Sequence, residues 1–252
     1  MSWAAVRALV GKELRQLRRS RGAVVSSALL PILLMIIVPL GQLAGFSAAG
    51  DASGLSTANA SNPANAAILA RFERPIGLFT DLLLPLFVAM TGVVVPSVAT
   101  AYAVVAERER RSIDLLMALP VSVTEVLVAK VLTVFLLALG VTLPLFVIQS
   151  TALLIAGVTD VGRVLALLLV LLGSFTCSVG VTFVITILAR DYRTANNLSG
   201  LQIGPVVLMT PLLLLLLPGP PGFVLLAALL AALGLVALFI AWRWITFERY
   251  LA

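Results

Sequence analysis

Residues 107–130, ERERRSIDLLMALPVSVTEVLVAK, form a charged and amphipathic island between long apolar runs, and the rest of the chain is arranged around it. This island holds four of the 17 basic residues and four of the 11 acidic ones. Three of its apolar residues recur at helical spacing and predict a short amphipathic helix: Ile113, Leu116 and Met117. Pro120 ends that helix, and Ser122 and Glu125 have the spacing of a capping box that starts another. The island therefore predicts a helical elbow between two membrane spans.

The composition of the chain indicates an integral membrane protein. Of its 252 residues 61% are hydrophobic and only 11% are charged, whereas soluble domains usually carry about 25% charged residues. A spanning helix needs about 20 apolar residues. Counting on that basis predicts an all-α polytopic membrane protein, one transmembrane domain over residues 1–252, with six transmembrane helices near 23–46, 76–106, 126–157, 164–189, 198–217 and 223–242.

The N-terminal residues 2–21 have the pattern of a basic amphipathic helix. Its apolar positions recur every three or four residues and are Trp3, Val6, Val10, Leu14 and Leu17. Six basic residues are interleaved with them, which predicts an elbow helix lying along the membrane surface. A signal peptide is the competing interpretation, but the apolar run 23–46 is longer than the roughly 7–15 residues of a signal core. A plain basic flank that only orients the chain remains an alternative.

The basic residues also predict the orientation of the chain. Fourteen of the 17 lie in the N-terminal segment, the island, the 190–197 loop and the C-terminal tail. The positive-inside rule therefore places both termini and residues 107–122 in the cytoplasm, with 47–75 as an external loop. The same residues form no single basic face or stripe, so the sequence does not predict a nucleic-acid partner.

Polar residues inside the apolar runs are the candidates for an intramembrane role. Four of them fall four apart on one face of the fourth span: Ser174, Ser178, Thr182 and Thr186. Close packing through small residues is the main interpretation of this face, and a polar wall of a transport path is the alternative. Asp81 is the one acid inside the outer edge of a span, and it is interpreted as an interfacial cap before an ion ligand.

Elimination removes the usual enzyme classes. The chain has no histidine, which excludes a H-E-x-x-H zinc site and a serine–histidine pair. It also lacks a G-x-x-x-x-G-K-[ST] segment, so it cannot hold ATP phosphates in a P-loop. Its single cysteine, Cys177, offers no disulfide framework. The sequence therefore predicts no catalytic site, no cofactor and no metal in this chain.

The island resembles a known segment. The runs ERERRSIDLL at 107–116 and LPVS at 119–122, followed by Lys130, resemble the cytoplasmic coupling segment of ABC transporter permeases of the type-2 exporter class. The six-span layout extends the resemblance over nearly the whole chain. One departure lies at Arg111 and Ser112, where many relatives carry Gly-Thr. A charged turn before a span that contains Pro205 is also similar to the family.

The resemblance implies a subunit that exports a solute with energy from elsewhere. It implies separate ATPase subunits that bind ATP and Mg, a second copy of the chain or a related permease, and a prokaryotic inner membrane. The implied ATPase-docking residues are Glu107, Arg108, Glu109, Arg110, Arg111, Ile113, Asp114, Leu116, Leu119 and Pro120. Arg190 and Arg193 are either a second contact or simple boundary anchors. Scattered hydroxyls in an apolar interior favour a hydrophobic or amphipathic solute.

Two other classes of function stay open at this point. A secondary carrier or channel would use no ATPase, and a carrier commonly shows related halves with interrupted helices in matching positions. No convincing repeat relates residues 23–125 to 126–242. A membrane anchor that recruits a cytoplasmic enzyme fits the elbow equally well.

Overall fold

The computed structural model describes residues 3–19, 28–49, 75–109, 123–188 and 192–244. Within these ranges the chain is helical and has no strand. The helices are α1 (Trp3–Arg19), α2 (28–49), α3 (75–109), α4 (Val123–Ile155), α5 (Val161–Leu188), α6 (Tyr192–Leu201), α7 (Ile203–Leu216) and α8 (Pro220–Trp244). This all-α architecture agrees with the fold class that the composition predicts.

Six stretches of these helices are long and apolar enough to cross a membrane. They are Ala28–Gly45, Ile76–Thr100, Val128–Ile155, Val161–Ile185, Asn197–Leu216 and Pro220–Arg243. The six-span, polytopic prediction is therefore confirmed. The fifth stretch differs in detail from the continuous run at 198–217, because the helix starts earlier, at Tyr192, and is interrupted by a turn at Gln202.

Two π-helical turns interrupt the first two spans, and proline accounts for both. Leu33–Ile37 lies in α2 and Phe79–Leu83 lies in α3, and the residue after each donates its amide five residues back. In each case a proline, Pro39 or Pro85, follows the π turn by two residues. A proline has no amide to give the carbonyl four residues earlier. The hydrogen bond that spans five residues instead of four lies next to the position where the proline lacks an amide donor.

The centre of the bundle is a parallel pair of helices, α3 and α5, whose register shifts by one residue between Gly92 and Ser97. Three contacts define it, and their partners differ in position by 81 or 82: Asp81 with Arg163, Gly92 with Ser174, and Ser97 with Ser178. A Cβ on Gly92 would lie 2.5 Å from the Cβ of Ser174, so only glycine permits this approach. The backbones of the two helices therefore come close to each other near the middle of the pair.

Helix α8 packs on the other side of α5 through glycines, also in parallel. A Cβ on Gly173 would lie 2.5 Å from the carbonyl oxygen of Ala227, and Gly180 and Gly234 face each other seven residues further along both helices. Small residues at such contacts let two helices approach closely enough for dispersion to hold them together in a membrane. The apolar core of α3, α5 and α8 forms around these contacts.

Helix α1 packs against the beginning of α4. Val6 and Val10 are buried against Ala129, while Arg7 and Lys12, outside that apolar stripe, are exposed. The amphipathic pattern of the N-terminus therefore has a defined receiving surface within the chain. The first turns of α4 are the segment that this helix covers.

Candidate functional site

The predicted docking segment lies between the ends of two long helices. Helix α3 continues to Glu109, and α4 begins at Val123. Residues 110–122 lie outside the described residues, as do Arg190 and the side chains of 101–109, Thr186 and Arg193. The docking role of these residues therefore stays a prediction, and so does the capping box at Ser122.

The ends of α3 and α4 that adjoin residues 110–122 in the chain extend beyond the apolar stretches of these helices. Helix α3 is about 52 Å long at 1.5 Å per residue, against about 30 Å of hydrocarbon in a bilayer. Its apolar stretch ends at Thr100, so about 13 Å of helix remains before Glu109. Helix α4 starts five residues before its own apolar stretch. We call the end of the bundle at which α3 ends and α4 begins the docking end.

Two charged side chains are buried in the first turns of α4, next to the docking segment. Glu125 is 7% exposed and Lys130 is 2% exposed. Lys130 is one of the residues on which the sequence resemblance rests. Helix α1 covers this part of α4 through Val6 and Val10, so one side of the start of α4 is packed against protein. The sequence did not predict this packing.

A cluster of polar side chains joins three helices inside the bundle. We call Ser97, Ser178, Thr182 and Gln202 the amide–hydroxyl cluster. The two serine hydroxyls both donate to the carbonyl oxygen of Val93, at 2.6 and 2.5 Å, and their oxygen atoms lie 2.9 Å apart. Because one carbonyl accepts both protons, the hydroxyl oxygens are left to accept bonds from elsewhere.

The Gln202 amide supplies those bonds from the turn between α6 and α7. Its Nε2 donates to Ser97 Oγ and to Thr182 Oγ1 at 3.1 Å, and it lies 3.5 Å from Ser178 Oγ. The cluster is about 18 Å from the end of α3 and about 15 Å from the end of α5 and the start of α6. Three helices therefore bring polar groups to one depth in the apolar interior.

The serine and threonine face predicted on the fourth span divides between two tasks. Ser178 and Thr182 belong to the amide–hydroxyl cluster. Ser174 donates to the carbonyl oxygen of Val170 in its own helix at 2.7 Å, and its Cβ faces Gly92. Packing and polar bonding thus occur on the same face. Gln202 was not among the residues predicted from the sequence, although it is the one amide side chain in the apolar run 198–217.

Asp81 pairs with a basic residue, Arg163, that is not among the site residues predicted from the sequence. Arg163 Nη1 lies 3.3 Å from Asp81 Oδ1, as an ion pair without hydrogen-bond geometry, and donates to Thr80 Oγ1 at 3.4 Å. Asp160 accepts the backbone amide of Arg163 at 2.7 Å and so caps the start of α5. The π turn that carries Asp81 is thereby tied to the first turn of α5.

We expect the Asp81–Arg163 pair to show a coupling of about 1 kcal/mol in a double-mutant cycle, because the two side chains are only 17% and 30% exposed. Asp81→Ala and Arg163→Ala should each lower the unfolding temperature of the protein in detergent, and the double variant should lose less than their sum. The exchanged pair, Asp81→Arg with Arg163→Asp, is the control and should recover part of the loss. Strict additivity of the two single variants would contradict the ion pair.

Comparison with known proteins identifies a family. A family model described as ABC-2 family transporter protein matches residues 7–219. No curated protein matches the chain, and no solved structure matches it. The matched range includes most of α1, the predicted docking segment and the whole of the amide–hydroxyl cluster. With six spans in the described structure and a family match over most of its length, the chain belongs to the ABC-2 transporter family, as a membrane permease of an ABC transporter.

Proposed function

We propose that the chain is the membrane-spanning subunit of an ATP-driven exporter, and that separate ATPase subunits bind ATP and Mg and move it through the docking segment. The observation that carries this proposal is the continuity of α3. One helix runs from the Asp81–Arg163 pair, past the amide–hydroxyl cluster, to Glu109, which lies within the predicted docking segment 107–122. A displacement at its end would be carried into the membrane interior by this one helix, in which Pro96 removes a single backbone hydrogen bond.

The docking segment divides into an apolar contact and a charged rim. Ile113, Leu116 and Leu119 supply the contact, and Glu107, Glu109, Arg110 and Arg111 supply the rim. Closure of the ATPase pair would displace the end of α3, and α5 would follow because the two helices touch at Gly92. Such coupling works only if the ATPases contact the inward-open and outward-open states differently. ATP binding then supplies the free energy that shifts the population between these states.

The transport path and the second subunit follow from the same assignment. We infer that two copies, or one copy and a related permease, meet in the membrane with the solute passing between them, and that both termini and the docking end face the cytoplasm of a prokaryotic cell. Large apolar residues line the outer faces of α7 and α8, among them Leu208, Leu212 and Phe239, and such faces suit lipid or a second apolar surface. A hydrophobic or amphipathic solute is favoured by the hydroxyls of Ser97, Ser178 and Thr182 in an otherwise apolar interior.

The test is reconstitution with and without an ATPase subunit. We expect the purified chain to bind an ABC ATPase, to change its rate of ATP hydrolysis, and to release amphipathic dyes from vesicles only when that ATPase and ATP are present. An ATPase variant that binds but does not hydrolyse ATP is the control. Dye movement by the chain alone would replace the proposal with a carrier or channel. Binding without any ATP-dependent movement would leave a membrane anchor.

A further inference from the structure

The turn between α6 and α7 has the composition of a hinge. Pro205 cannot donate an amide to the carbonyl of Leu201, so the helical ladder is open at this point. Gly200 and Gly204 flank Gln202, and a Cβ at either position would meet no atom of the described residues within 4 Å. A helical glycine costs about 1 kcal/mol relative to alanine. Gly92 has its helix contact as a reason to be glycine, whereas no contact among the described residues requires glycine at 200 or 204, and both positions gain conformational freedom from it.

The amide of Gln202 is the side chain that ties this turn to the bundle. Its Nε2 reaches hydroxyls on both α3 and α5. Its Oε1 is buried and has no hydrogen-bond partner among the described residues. The Nε2 of Gln202 therefore donates hydrogen bonds, while its Oε1 accepts none from the described residues. In most buried side-chain networks the acceptor atoms are hydrogen-bonded as well.

We propose that residues 200–205 are a hinge in the fifth span and that Gln202 is its positioning residue, a lock that holds α6 against the hydroxyls of Ser97, Ser178 and Thr182. Any part of this lock in transport rests on the proposed function. The lock itself concerns only this chain. When it opens, α6 moves away from α3 and α5, and the three hydroxyls line a polar surface in the membrane interior.

The bonding pattern makes the lock reversible. Ser97 and Ser178 keep the carbonyl of Val93 as their acceptor whether or not the amide is present. Opening therefore leaves the two serine protons satisfied, while the amide of Gln202 and the hydroxyl of Thr182 lose the bond between them. Single hydrogen bonds between membrane helices are weak. Two such bonds at one residue, with a longer contact to Ser178, can hold a closed state without making it permanent.

Thiol labelling at position 199 tests the lock directly. Ser199 lies in α6 and is 1% exposed, so a cysteine there is covered while the lock is closed. Cys177 is the one native cysteine and is replaced, giving the parent Cys177→Ala/Ser199→Cys. In nanodiscs we expect a small maleimide to label the cysteine at position 199 at least about fivefold faster when Gln202→Leu is added. The pair Ser97→Ala/Ser178→Ala, which removes two acceptors from the other side, should give the same direction of change.

Two controls separate a lock from a general loosening of the fold. Gln149 is another buried glutamine, 1% exposed, whose amide has no hydrogen-bond partner among the described residues. Gln149→Leu should leave the labelling at position 199 at the parent rate. Adding Gly200→Ala/Gly204→Ala to Gln202→Leu should return the rate toward the parent, because alanine stiffens the helix.

The outcomes that overturn the proposal are equally specific. Unchanged labelling with Gln202→Leu shows that the amide holds nothing closed. An equal increase with Gln149→Leu shows that any lost amide loosens the bundle. A labelling gain that alanine at 200 and 204 does not reduce removes the hinge. The labelling uses the chain without an ATPase, so a failure of the ATP-driven assignment leaves these readouts intact and is detected separately by reconstitution.

Discussion

Leu116→Asp is expected to abolish ATP-dependent transport while the protein stays inserted in the membrane. Leu116 occupies the centre of the apolar stripe predicted for the docking segment, between Ile113 and Leu119. A carboxylate placed in that contact loses its water without gaining a partner, which is among the most costly changes at an interface. Removing such an anchor weakens binding by at least about 2 kcal/mol, or roughly 30-fold. Pull-down of the ATPase and dye release from vesicles measure the two effects.

A matched control lies on the opposite face of the same predicted helix. Ala118 is about half a turn away from the Leu116 stripe, so Ala118→Asp carries the same charge toward water. It should keep most of the transport. Labelling of Ser112→Cys by a membrane-impermeant reagent from the cytoplasmic side checks insertion in each variant. Normal export by Leu116→Asp would show that the docking contact lies elsewhere, and labelling of the introduced cysteine from outside would reverse the orientation.

Gly234→Ala is expected to be a strongly destabilising single-methyl change at the contact between α5 and α8. The added Cβ would overlap the carbonyl group of Thr176, and backbone atoms cannot turn aside as a side chain can. Overpacking a tight contact costs typically about 1–3 kcal/mol, and separating α5 from α8 would also loosen the core that both helices share. We expect a fall of several degrees in the unfolding temperature and less protein in the membrane fraction.

Gly140→Ala is the control for that effect. Gly140 lies in α4 and is exposed, and a Cβ there would meet no atom of the described residues within 4 Å. Alanine is the better helix former by about 1 kcal/mol, so this variant should be neutral or slightly stabilised. If both variants lose equal stability, the glycine contact between α5 and α8 is not what holds these helices together.

The sequence alone predicts the spans and the family well, because both depend on local patterns. Hydropathy fixes the six spans, and the alternation of valines and arginines fixes α1. The irregular turns that the sequence did not predict depend on the absence of a single backbone amide. The π turn at Phe79–Leu83 and the turn at Gln202 both arise where a proline removes one donor, and hydropathy does not change there. Prolines inside a span indicate irregularity without indicating its form.

The candidate site shows the same division between local and tertiary information. The docking segment was found from its own motif, which is local. On the fourth span, the spacing of Ser178 and Thr182 predicted one face but not its partner, since Gln202 comes from another helix. The pairing of Arg163 with Asp81 depends on the alignment of α3 with α5, which no local pattern indicates. The signal in the sequence that could have identified Gln202 is its position as an amide side chain between Gly200 and the pair Gly204 and Pro205.

The equal spacing of two contacts along α3 and α5 limits how this protein can change in evolution. Asp81 and Gly92 are 11 residues apart, and so are their partners Arg163 and Ser174. One residue inserted between Asp81 and Gly92 would turn the following helix by about 100° and carry the glycine away from Ser174. The outer ion pair and the close glycine contact could then not form together. A change of length in the chain between the first two spans would disturb neither contact, whereas a deletion between Asp81 and Gly92 would need a matching deletion between Arg163 and Ser174.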